Sequence, residues 1–294
     1  MTEKQRLQLP DGRFLDFYVS GPAGGTPLVW HHGTPGSGYQ NPKVQEAIHA
    51  RGLRYVTMSR AGYGMSTRHA GRSIVDVVAD TAALLDHLGA PHSLIAGTSG
   101  GGPHSLACAA RLPGVLAAAS VAGIAPYGLS DLDFLAGMGE GNIVEFSKVL
   151  GGIDVLVPYL EADAAGLANA TPGDLLKIMN SILPDVDKAC ITEEMGAEMI
   201  ASMGEGLREG VSGWADDDLA FCQPWGFSLN EITVPVAIWQ GSADLMVTYA
   251  HGQWLGANVP NASVHLLDGE GHLSIGVGKR DEILDGLMSA AGLA

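Results

Sequence analysis

Positive charge is scarce in this chain. Its 294 residues include 16 lysines and arginines against 32 aspartates and glutamates, which gives a formal net charge of −16. A field of that sign repels phosphate backbones and anionic lipid surfaces. We therefore expect neither a nucleic-acid partner nor a membrane partner, and we interpret the acidic balance as a source of solubility.

Cysteine is also rare, and long apolar runs are missing. The three cysteines, Cys108, Cys190 and Cys222, form no C-x-x-C pair and have no zinc-type spacing with histidine. That usage predicts free thiols in a reducing compartment and no metal site. The opening residues MTEKQRLQLP lack the apolar core of a signal peptide, and the apolar run at 115–125 is too short to span a bilayer. We expect a cytoplasmic protein.

Hydrophobic residues are plentiful, at 46% against 16% charged, so the chain can bury a large core. Strand patterns alternate with helix patterns over residues 27–125, which predicts a parallel sheet covered on both faces. The alternation then stops, and it returns only at the segment VPVAIWQG. Two strands and two helices cannot form a core alone, so the C-terminal part must join the first part. We predict an α/β core from residues 1–126 and 231–294, with a helical cap inserted at 127–230.

The peptide GTSGG at 97–101 lies between an apolar strand pattern and a helix pattern. Glycine makes up 41 of 294 residues, so a match to G-x-S-x-G carries little weight by itself. A tight turn from strand to helix requires small residues two before and two after its centre, and Gly97 and Gly101 meet that need. The setting therefore predicts a nucleophile elbow that presents the Ser99 hydroxyl beside the start of a helix.

A serine hydroxyl needs a base at neutral pH, and the base needs an orienting acid. His272 lies in a predicted loop, GEGH, after the last predicted strand, and Asp244 follows the preceding strand in GSAD. Serine, acid and histidine in this order are expected when such loops rise from successive strands of one sheet. Parallel topology places all three loops at one edge. We therefore predict Ser99, Asp244 and His272 as the catalytic residues.

Other acids compete for the orienting role. Asp268 and Glu270 lie on the histidine's own loop, where reaching back to the ring is sterically awkward. Asp131 and Asp133, after the strand that ends near residue 125, form a second fallback site.

The oxyanion of an acyl-transfer reaction needs two N–H donors. The N–H of Gly100, directly after the nucleophile, supplies one donor. The N–H of Thr34, in the loop HHGTPGSG, supplies the other, since Pro35 has no N–H and Gly33 allows close approach. Each donor contributes about 3 kcal/mol to transition-state stabilisation.

With these residues in place, the chain resembles the α/β-hydrolase fold family, in its capped serine hydrolase branch of esterases and proline iminopeptidase-like enzymes. The resemblance covers nearly all of the chain outside residues 127–230. Five motifs in the same order carry it: HGTPG at 32–36, SRAGYGMS at 59–66, GTSGGG at 97–102, GSAD at 241–244 and GEGH at 269–272.

The resemblance implies a mostly parallel, eight-stranded sheet flanked by helices, with an inserted helical cap. It also implies serine hydrolase chemistry without a cofactor. Two positions depart from the family pattern: Ser59 stands where relatives often carry an acid, and Thr34 where many carry a second glycine. Haloalkane dehalogenases and epoxide hydrolases of this fold carry an acid at the nucleophile position, so Ser99 argues against both.

We predict a serine hydrolase that cleaves a carboxylic ester of a small to medium uncharged substrate through an acyl-enzyme. A proline iminopeptidase-like aminopeptidase, a lactonase and a carbon–carbon bond hydrolase are alternatives from the same fold. A ligand-binding relative with little turnover is the non-enzymatic alternative. The cap is expected to close over Ser99 and form a largely apolar cavity. The sequence identifies neither the substrate-binding residues nor the oligomeric state.

Overall fold

The computed structural model of the protein describes residues 2–168 and 170–294. An eight-stranded sheet forms its centre. The strands, in chain order, are β1 Lys4–Gln8, β2 Phe14–Ser20, β3 Pro27–His31, β4 Arg54–Met58, β5 Ser93–Thr98, β6 Val115–Val121, β7 Val236–Gly241 and β8 Ser263–Leu267.

Their order across the sheet is β1-β2-β4-β3-β5-β6-β7-β8. The pairs β1–β2 and β2–β4 are antiparallel, and every other neighbouring pair is parallel. This arrangement confirms the predicted α/β class with a mostly parallel, eight-stranded sheet.

The central strands are short apolar runs because helices cover both of their faces. In register, Val29 of β3 lies opposite Val56 of β4 on one side and Ile95 of β5 on the other. These three side chains enter one core, whereas Leu28 and Leu94, one position earlier, enter a second core on the opposite face. A strand that is buried on both faces shows no polar alternation, which is the pattern that predicted a parallel sheet.

The helices surround this sheet. In chain order, the α-helices of the described residues are α1 Pro42–Ala50, α2 Val77–His87, α3 Gly101–Arg111, α4 Glu140–Leu150, α5 Ile153–Leu167, α6 Pro172–Ile178, α7 Asp185–Cys190, α8 Glu193–Gly206, α9 Ser212–Phe221, α10 Tyr249–Asn258, α11 His272–Gly278 and α12 Arg280–Ala290. None of these helices is long and apolar enough to cross a membrane.

Helices α4 to α9 lie between β6 and β7, and the described residues of that stretch contain no strand. We call residues 127–230 the helical segment. Its buried side chains, including Phe146, Leu156, Trp214 and Phe221, belong to the same core as the inner residues of β3 and β5. The helical segment therefore packs on the sheet domain. The division of the chain into a core and a cap stays a prediction.

Candidate active site

The carboxyl ends of three parallel strands carry the residues predicted to be catalytic. Ser99 follows β5 directly, Asp244 lies in the turn after β7, and His272 follows β8 as the first residue of α11. Strands β5 to β8 are successive neighbours in the sheet and run parallel. Their carboxyl ends therefore share one edge, where parallel α/β sheets bind their ligands.

Ser99 occupies a strained turn between β5 and α3. Its φ is 56°, in the left-handed region that non-glycine residues rarely adopt. Two backbone hydrogen bonds hold this conformation: the Ser99 N–H donates to the Val121 carbonyl at 2.9 Å, and the Ser99 carbonyl accepts from Gly102 at 2.8 Å. Strain of this kind persists where the surrounding structure fixes it, and it is concentrated at functional sites.

The glycines that flank Ser99 have no space for a side chain. A Cβ at Gly97 would overlap the carbonyl of Gly101, and a Cβ at Gly101 would overlap the carbonyl of His31. The close crossing of strand and helix that the sequence pattern requires is therefore present, with backbone against backbone.

His272 and Asp244 form a buried pair. The distance between His272 Nδ1 and Asp244 Oδ2 is 2.8 Å, and both side chains are almost fully buried. The Asp244 carboxylate also accepts hydrogen bonds from the Gln240 side chain at 2.8 Å and from the backbone N–H groups of Met246 at 2.8 Å and Val247 at 2.9 Å. These bonds fix the carboxylate, which in turn orients the imidazole.

Two opposing effects set the pKa of His272. Burial lowers it, but the charge and hydrogen bond of Asp244, together with the charge of Asp187, outweigh burial, so the pKa is raised. Asp187 belongs to α7 of the helical segment. A carboxylate on Nδ1 is the arrangement that stabilises the imidazolium formed when histidine accepts a proton from a nucleophile.

The competing acids lie elsewhere. Asp268 accepts a hydrogen bond from a serine of the turn after β7, and Glu270 accepts one from a serine of α11, so both are engaged away from the His272 ring. Asp131 and Asp133 are exposed. Of the acids considered from sequence, the predicted one is therefore the acid that contacts the histidine.

No hydrogen bond joins Ser99 to His272 within the described part of the chain. Ser99 lines a cavity of about 280 Å³ under the helical segment, whereas His272 lines a second cavity of about 410 Å³ between α1, α8 and α11. The structure thus assembles the elbow and the acid–base pair at one edge of the sheet, and the contact between nucleophile and base stays a prediction.

The predicted oxyanion donors lie beside the nucleophile. A Cβ at Gly100 would overlap Thr34 Oγ1, and a Cβ at Gly33 would lie 3.4 Å from the Cβ of Ser99. Among the described residues, neither the N–H of Thr34 nor that of Gly100 has a hydrogen-bond acceptor. Two unpaired N–H groups next to a nucleophile are what a developing oxyanion requires.

A buried ion cluster supports the Thr34 loop. Asp217 of α9 is fully buried, and its carboxylate lies 2.5 Å from Arg60 Nη2 and 2.7 Å from Arg72 Nη2. The same carboxylate accepts hydrogen bonds from the Tyr63 hydroxyl at 2.8 Å and from Thr34 Oγ1 at 2.7 Å. We call these five residues the Asp217 cluster.

This cluster also holds the backbone of the loop. Arg60 donates to the carbonyl of His32 at 2.5 Å and to that of Gly33 at 3.2 Å. Burial acts to raise the pKa of Asp217, but the two guanidinium groups outweigh it and hold that pKa well below its usual range. An acid of the helical segment thus fixes the loop that carries one of the two predicted oxyanion donors.

The cavity at Ser99 contains more charge than the sequence predicts. Thr34 and Gly100 line it together with three acids of the helical segment, Glu145, Asp163 and Asp218. The expectation of a cavity with few polar groups beyond the catalytic residues is therefore wrong. The buried apolar side chains that line it are Ile124, Phe146, Met203, Trp214, Phe221 and Val247.

Two of these acids form a carboxyl pair. Burial raises the pKa of Glu145, and burial together with the neighbouring Glu145 raises the pKa of Asp218 well above its usual range. The indole N–H of Trp214 donates to Glu145 Oε1 at 2.7 Å. Asp218 Oδ2 is buried with no donor among the described residues. Two neighbouring buried carboxyl groups favour the protonated form, because burial and their mutual repulsion both oppose the second charge.

The sequence patterns do not identify these helical-segment residues, although one signal is present. The helix SGWADDDLAF contains three consecutive aspartates, at 216–218, between apolar residues, and all three are buried. Buried acids in an apolar helix need cations or other polar groups beside them. Asp216 pairs with Arg68, and Asp217 pairs with Arg60 and Arg72, but no sequence pattern specifies these partners.

Two histidines near the site have structural roles. Burial, with a smaller effect of the Arg60 charge, lowers the pKa of His31 to about 3 and the pKa of His104 well below its usual value. His104 Nδ1 donates to the Gly100 carbonyl at 2.7 Å, as expected for a hydrogen-bonded core histidine. Within residues 2–168 and 170–294, no group of three histidine, cysteine or acidic residues is arranged to hold a metal ion.

Comparison with known sequences gives a family match and distant relatives. A profile of the α/β-hydrolase fold family matches residues 26–138. The dihydrolipoyllysine-residue acetyltransferase component of an acetoin-cleaving system from Pseudomonas putida is 26% identical over 270 residues; the match covers 89% of this chain but 62% of that relative's length. An uncharacterized hydrolase of Bacillus subtilis is 27% identical over 270 residues, covering 90% of this chain and 89% of the relative.

Solved structures share the fold at low identity. A bromoperoxidase from Bacillus anthracis has a TM-score of 0.70 at 19% identity, covering 98% of this chain and 100% of that protein. The esterase RhEst1 from Rhodococcus has a TM-score of 0.66 at 18% identity, covering 99% of both chains. The matched segment contains the Thr34 loop and the Ser99 elbow, and the shared fold extends over the whole chain. The protein therefore has the α/β-hydrolase fold, and its residues 26–138 match the profile of that family.

Proposed function

We propose that the protein is a serine hydrolase that cleaves a carboxylic ester through an acyl-enzyme intermediate. Its similarity to the α/β-hydrolase fold family and to a hydrolase of Bacillus subtilis supports a hydrolase activity. The finer proposal rests on one arrangement: the strained Ser99 lies against two unpaired N–H groups, at the same sheet edge as the buried His272–Asp244 pair. These are the parts that acyl transfer needs.

In the first half-reaction, Ser99 Oγ attacks the ester carbonyl carbon and His272 Nε2 accepts the hydroxyl proton. The carbonyl oxygen becomes an oxyanion that accepts hydrogen bonds from the N–H groups of Thr34 and Gly100. Asp244 holds Nδ1–H and stabilises the imidazolium. The bond to the leaving oxygen then breaks, and His272 returns its proton to the alcohol.

In the second half-reaction, His272 accepts a proton from water, which attacks the carbonyl carbon of the acyl-enzyme. The oxyanion forms again in the same position. Its collapse breaks the bond to Ser99 Oγ and releases the acid, and His272 gives its proton to Ser99 Oγ, which restores the hydroxyl. The contact between Ser99 and His272 forms with substrate in place, since catalytic hydrogen bonds of free enzymes are often long.

The cavity limits the size of the substrate. A volume of about 280 Å³ under α4, α5, α8 and α9 suits a small to medium acyl ester rather than a long-chain lipid. We propose that residues 127–230 act as a cap that sets this limit. Bulky residues lining the cavity from the cap side, such as Phe146, Met203 and Phe221, are positioned to select acyl length.

A fluorophosphonate probe and a p-nitrophenyl ester series from two to twelve acyl carbons test this proposal. We expect one label per chain, fastest hydrolysis at short to medium lengths, and loss of both in Ser99→Ala. Ser289→Ala, at an exposed serine of α12, is the matched control and should label normally. Labelling that persists in Ser99→Ala removes this residue from the mechanism. A wild-type protein that neither labels nor hydrolyses any ester favours a ligand-binding role.

One observation favours an aminopeptidase as the second candidate. Glu145, Asp163 and Asp218 line the Ser99 cavity, and three acids there could accept the ammonium group of a substrate with a free N-terminus. A peptide substrate with a free N-terminus would react with the same proposed nucleophile and oxyanion donors. Comparing an alanyl or prolyl p-nitroanilide with its N-acetylated form separates the candidates. A preference for the free amine of tenfold or more supports the aminopeptidase, and equal or lower rates support the esterase.

A further inference from the structure

Asp187 lies in the six-residue helix α7, 85 residues before His272, yet its side chain contacts the backbone of His272. The Asp187 side chain is fully buried. Its carboxylate accepts hydrogen bonds from the N–H of His272 at 2.8 Å, of Leu273 at 3.0 Å and of Ser274 at 2.8 Å. These three N–H groups open α11 and have no partner within that helix.

The approach of the carboxylate is close enough to exclude a side chain at Gly271. A Cβ at that position would overlap the Asp187 carboxyl group. The described residues offer Asp187 no lysine or arginine partner, so its charge depends on these backbone donors. The three backbone N–H groups are therefore the hydrogen-bond donors that Asp187 has within the described part of the chain.

The groups that face this contact include other acids. Asp244 holds the ring of His272, Glu270 accepts a hydrogen bond from the Ser274 hydroxyl, and Cys190 lies on α7 itself. Burial, with the charges of Asp187 and Glu270, raises the pKa of the Cys190 thiol, so that group is neutral near pH 7. Asp187 and Asp244 thus act on His272 from opposite parts of the residue, one through the backbone and one through the ring.

We propose that Asp187 is a positioning residue for His272. It fixes the backbone from which the imidazole projects, and its charge favours the imidazolium formed during catalysis. This inference rests on the proposed function, in which His272 is the general base. Its consequence is that the helical segment supplies part of the catalytic apparatus and does not only cover the cavity.

Three variants test the proposal. Asp187→Asn keeps the shape and one acceptor oxygen but removes the charge, and Asp187→Ala removes the acceptors as well. Asp185→Asn removes an exposed acid from the same helix and is the matched control. The rate of fluorophosphonate labelling against pH reports the base, and an NMR titration of the His272 ring, assigned through His272→Gln, reports the pKa without any reaction. Urea unfolding of each variant gives the folded fraction.

We expect Asp187→Asn to lower the ring pKa of His272 and the midpoint of the labelling profile by roughly half a pH unit or more. Asp187→Ala should lower the plateau labelling rate at least tenfold and reduce kcat with KM within about twofold. Asp185→Asn should match the wild type in all three measurements.

A ring pKa of His272 that is the same in Asp187→Asn and the wild type overturns the proposal, whether or not Ser99 reacts with the probe. So does a fall in labelling rate that only follows the loss of folded protein. If the wild type does not label at all, the proposed function fails while the ring titration still decides the role of Asp187.

Discussion

Asp217 and Asp218 are neighbours on one helix, and both are buried, yet their surroundings shift their pKa values in opposite directions. Asp217 faces the core loops, where Arg60 and Arg72 hold its pKa well below the usual range despite burial. Asp218 faces the cavity, where burial and Glu145 raise its pKa well above that range. One step of a helix turns a side chain by about 100°. That rotation places one carboxyl group among guanidinium groups and the next beside another carboxyl group.

The comparison shows that burial by itself does not decide the charge of an acid. Desolvation penalises both carboxylates, and only the guanidinium groups on one side overcome it. Asp217 stabilises the Thr34 loop, whereas Asp218 lines the Ser99 cavity. The helical segment therefore contacts the core through an ion cluster and lines the cavity with acids whose pKa values are raised.

The largest effect should come from Asp217→Asn. The amide leaves Arg60 and Arg72 buried without a counter-charge, so we expect the free energy of unfolding to fall by about 3–5 kcal/mol. Urea unfolding at pH 7 measures it. Glu231→Gln breaks the exposed pair with Arg111 and should cost much less. Equal losses in the two variants would contradict the idea that Asp217 anchors a buried cluster.

Asp218→Asn should change how stability depends on pH. The folded pKa of Asp218 is raised, so the wild type loses stability as pH rises from about 4 through that folded value. The amide does not titrate. As pH rises, the free energy of unfolding of the variant should therefore increase relative to that of the wild type, by about 1.4 kcal/mol for each unit by which the pKa is raised. Unfolding measured from pH 4 to pH 9 gives this difference.

Asp217→Asn should show the opposite slope in a series that is extended from about pH 5 down to about pH 2. The folded pKa of Asp217 is lowered, so its contribution is present above about pH 4 and is lost as pH falls. Parallel pH profiles for the two variants would refute the contrast between these aspartates.

Trp214→Phe removes the indole donor from Glu145 and should destabilise the protein by about 1–2 kcal/mol beyond the packing loss. Trp225→Phe is a matched control, since the Trp225 indole N–H is buried with no partner among the described residues. The difference in unfolding free energy between the variants isolates the hydrogen bond. If Trp225→Phe is the more destabilised of the two, the carboxyl pair does not depend on this donor.

Thr34→Val should have the smallest effect. It removes one of several donors to Asp217 but keeps the backbone N–H proposed for the oxyanion, so we expect a loss of about 1 kcal/mol in stability. The ester kcat/KM should fall only a few-fold. Thr34→Ser keeps the hydroxyl and should restore both values. A fall in kcat of a hundredfold in Thr34→Val would assign the hydroxyl itself to the reaction.

The sheet could be predicted because each strand and helix carries its own local pattern. Apolar runs such as those of β3 and β5 are readable without knowledge of their partners. The turn at Ser99 could also be predicted from neighbouring residues, since its close backbone packing requires glycine at 97 and 101. The contact between Asp244 and His272 followed from topology and from the steric argument against Asp268.

Polar contacts between residues far apart in sequence produce no such local pattern. His272 was expected in a loop, but it opens α11, whose sequence HLSIGVG contains two glycines and is a poor helix former. The N–H groups at its start are satisfied by Asp187, which is 85 residues away from His272. The contacts of Asp217 and Asp218 likewise depend on how the helical segment packs, and no periodicity within α9 specifies that.

The Asp217 cluster also affects the order in which parts of the chain can fold. Asp217 lies 157 residues after Arg60, so a chain made from its N-terminus contains both arginines long before their counter-charge exists. Until α9 is synthesised, these guanidinium groups have to stay in water, because burying them alone is costly. Contacts of such high sequence separation slow folding. We therefore expect the loop bearing Thr34 to acquire its native backbone late, after the first six strands have been synthesised.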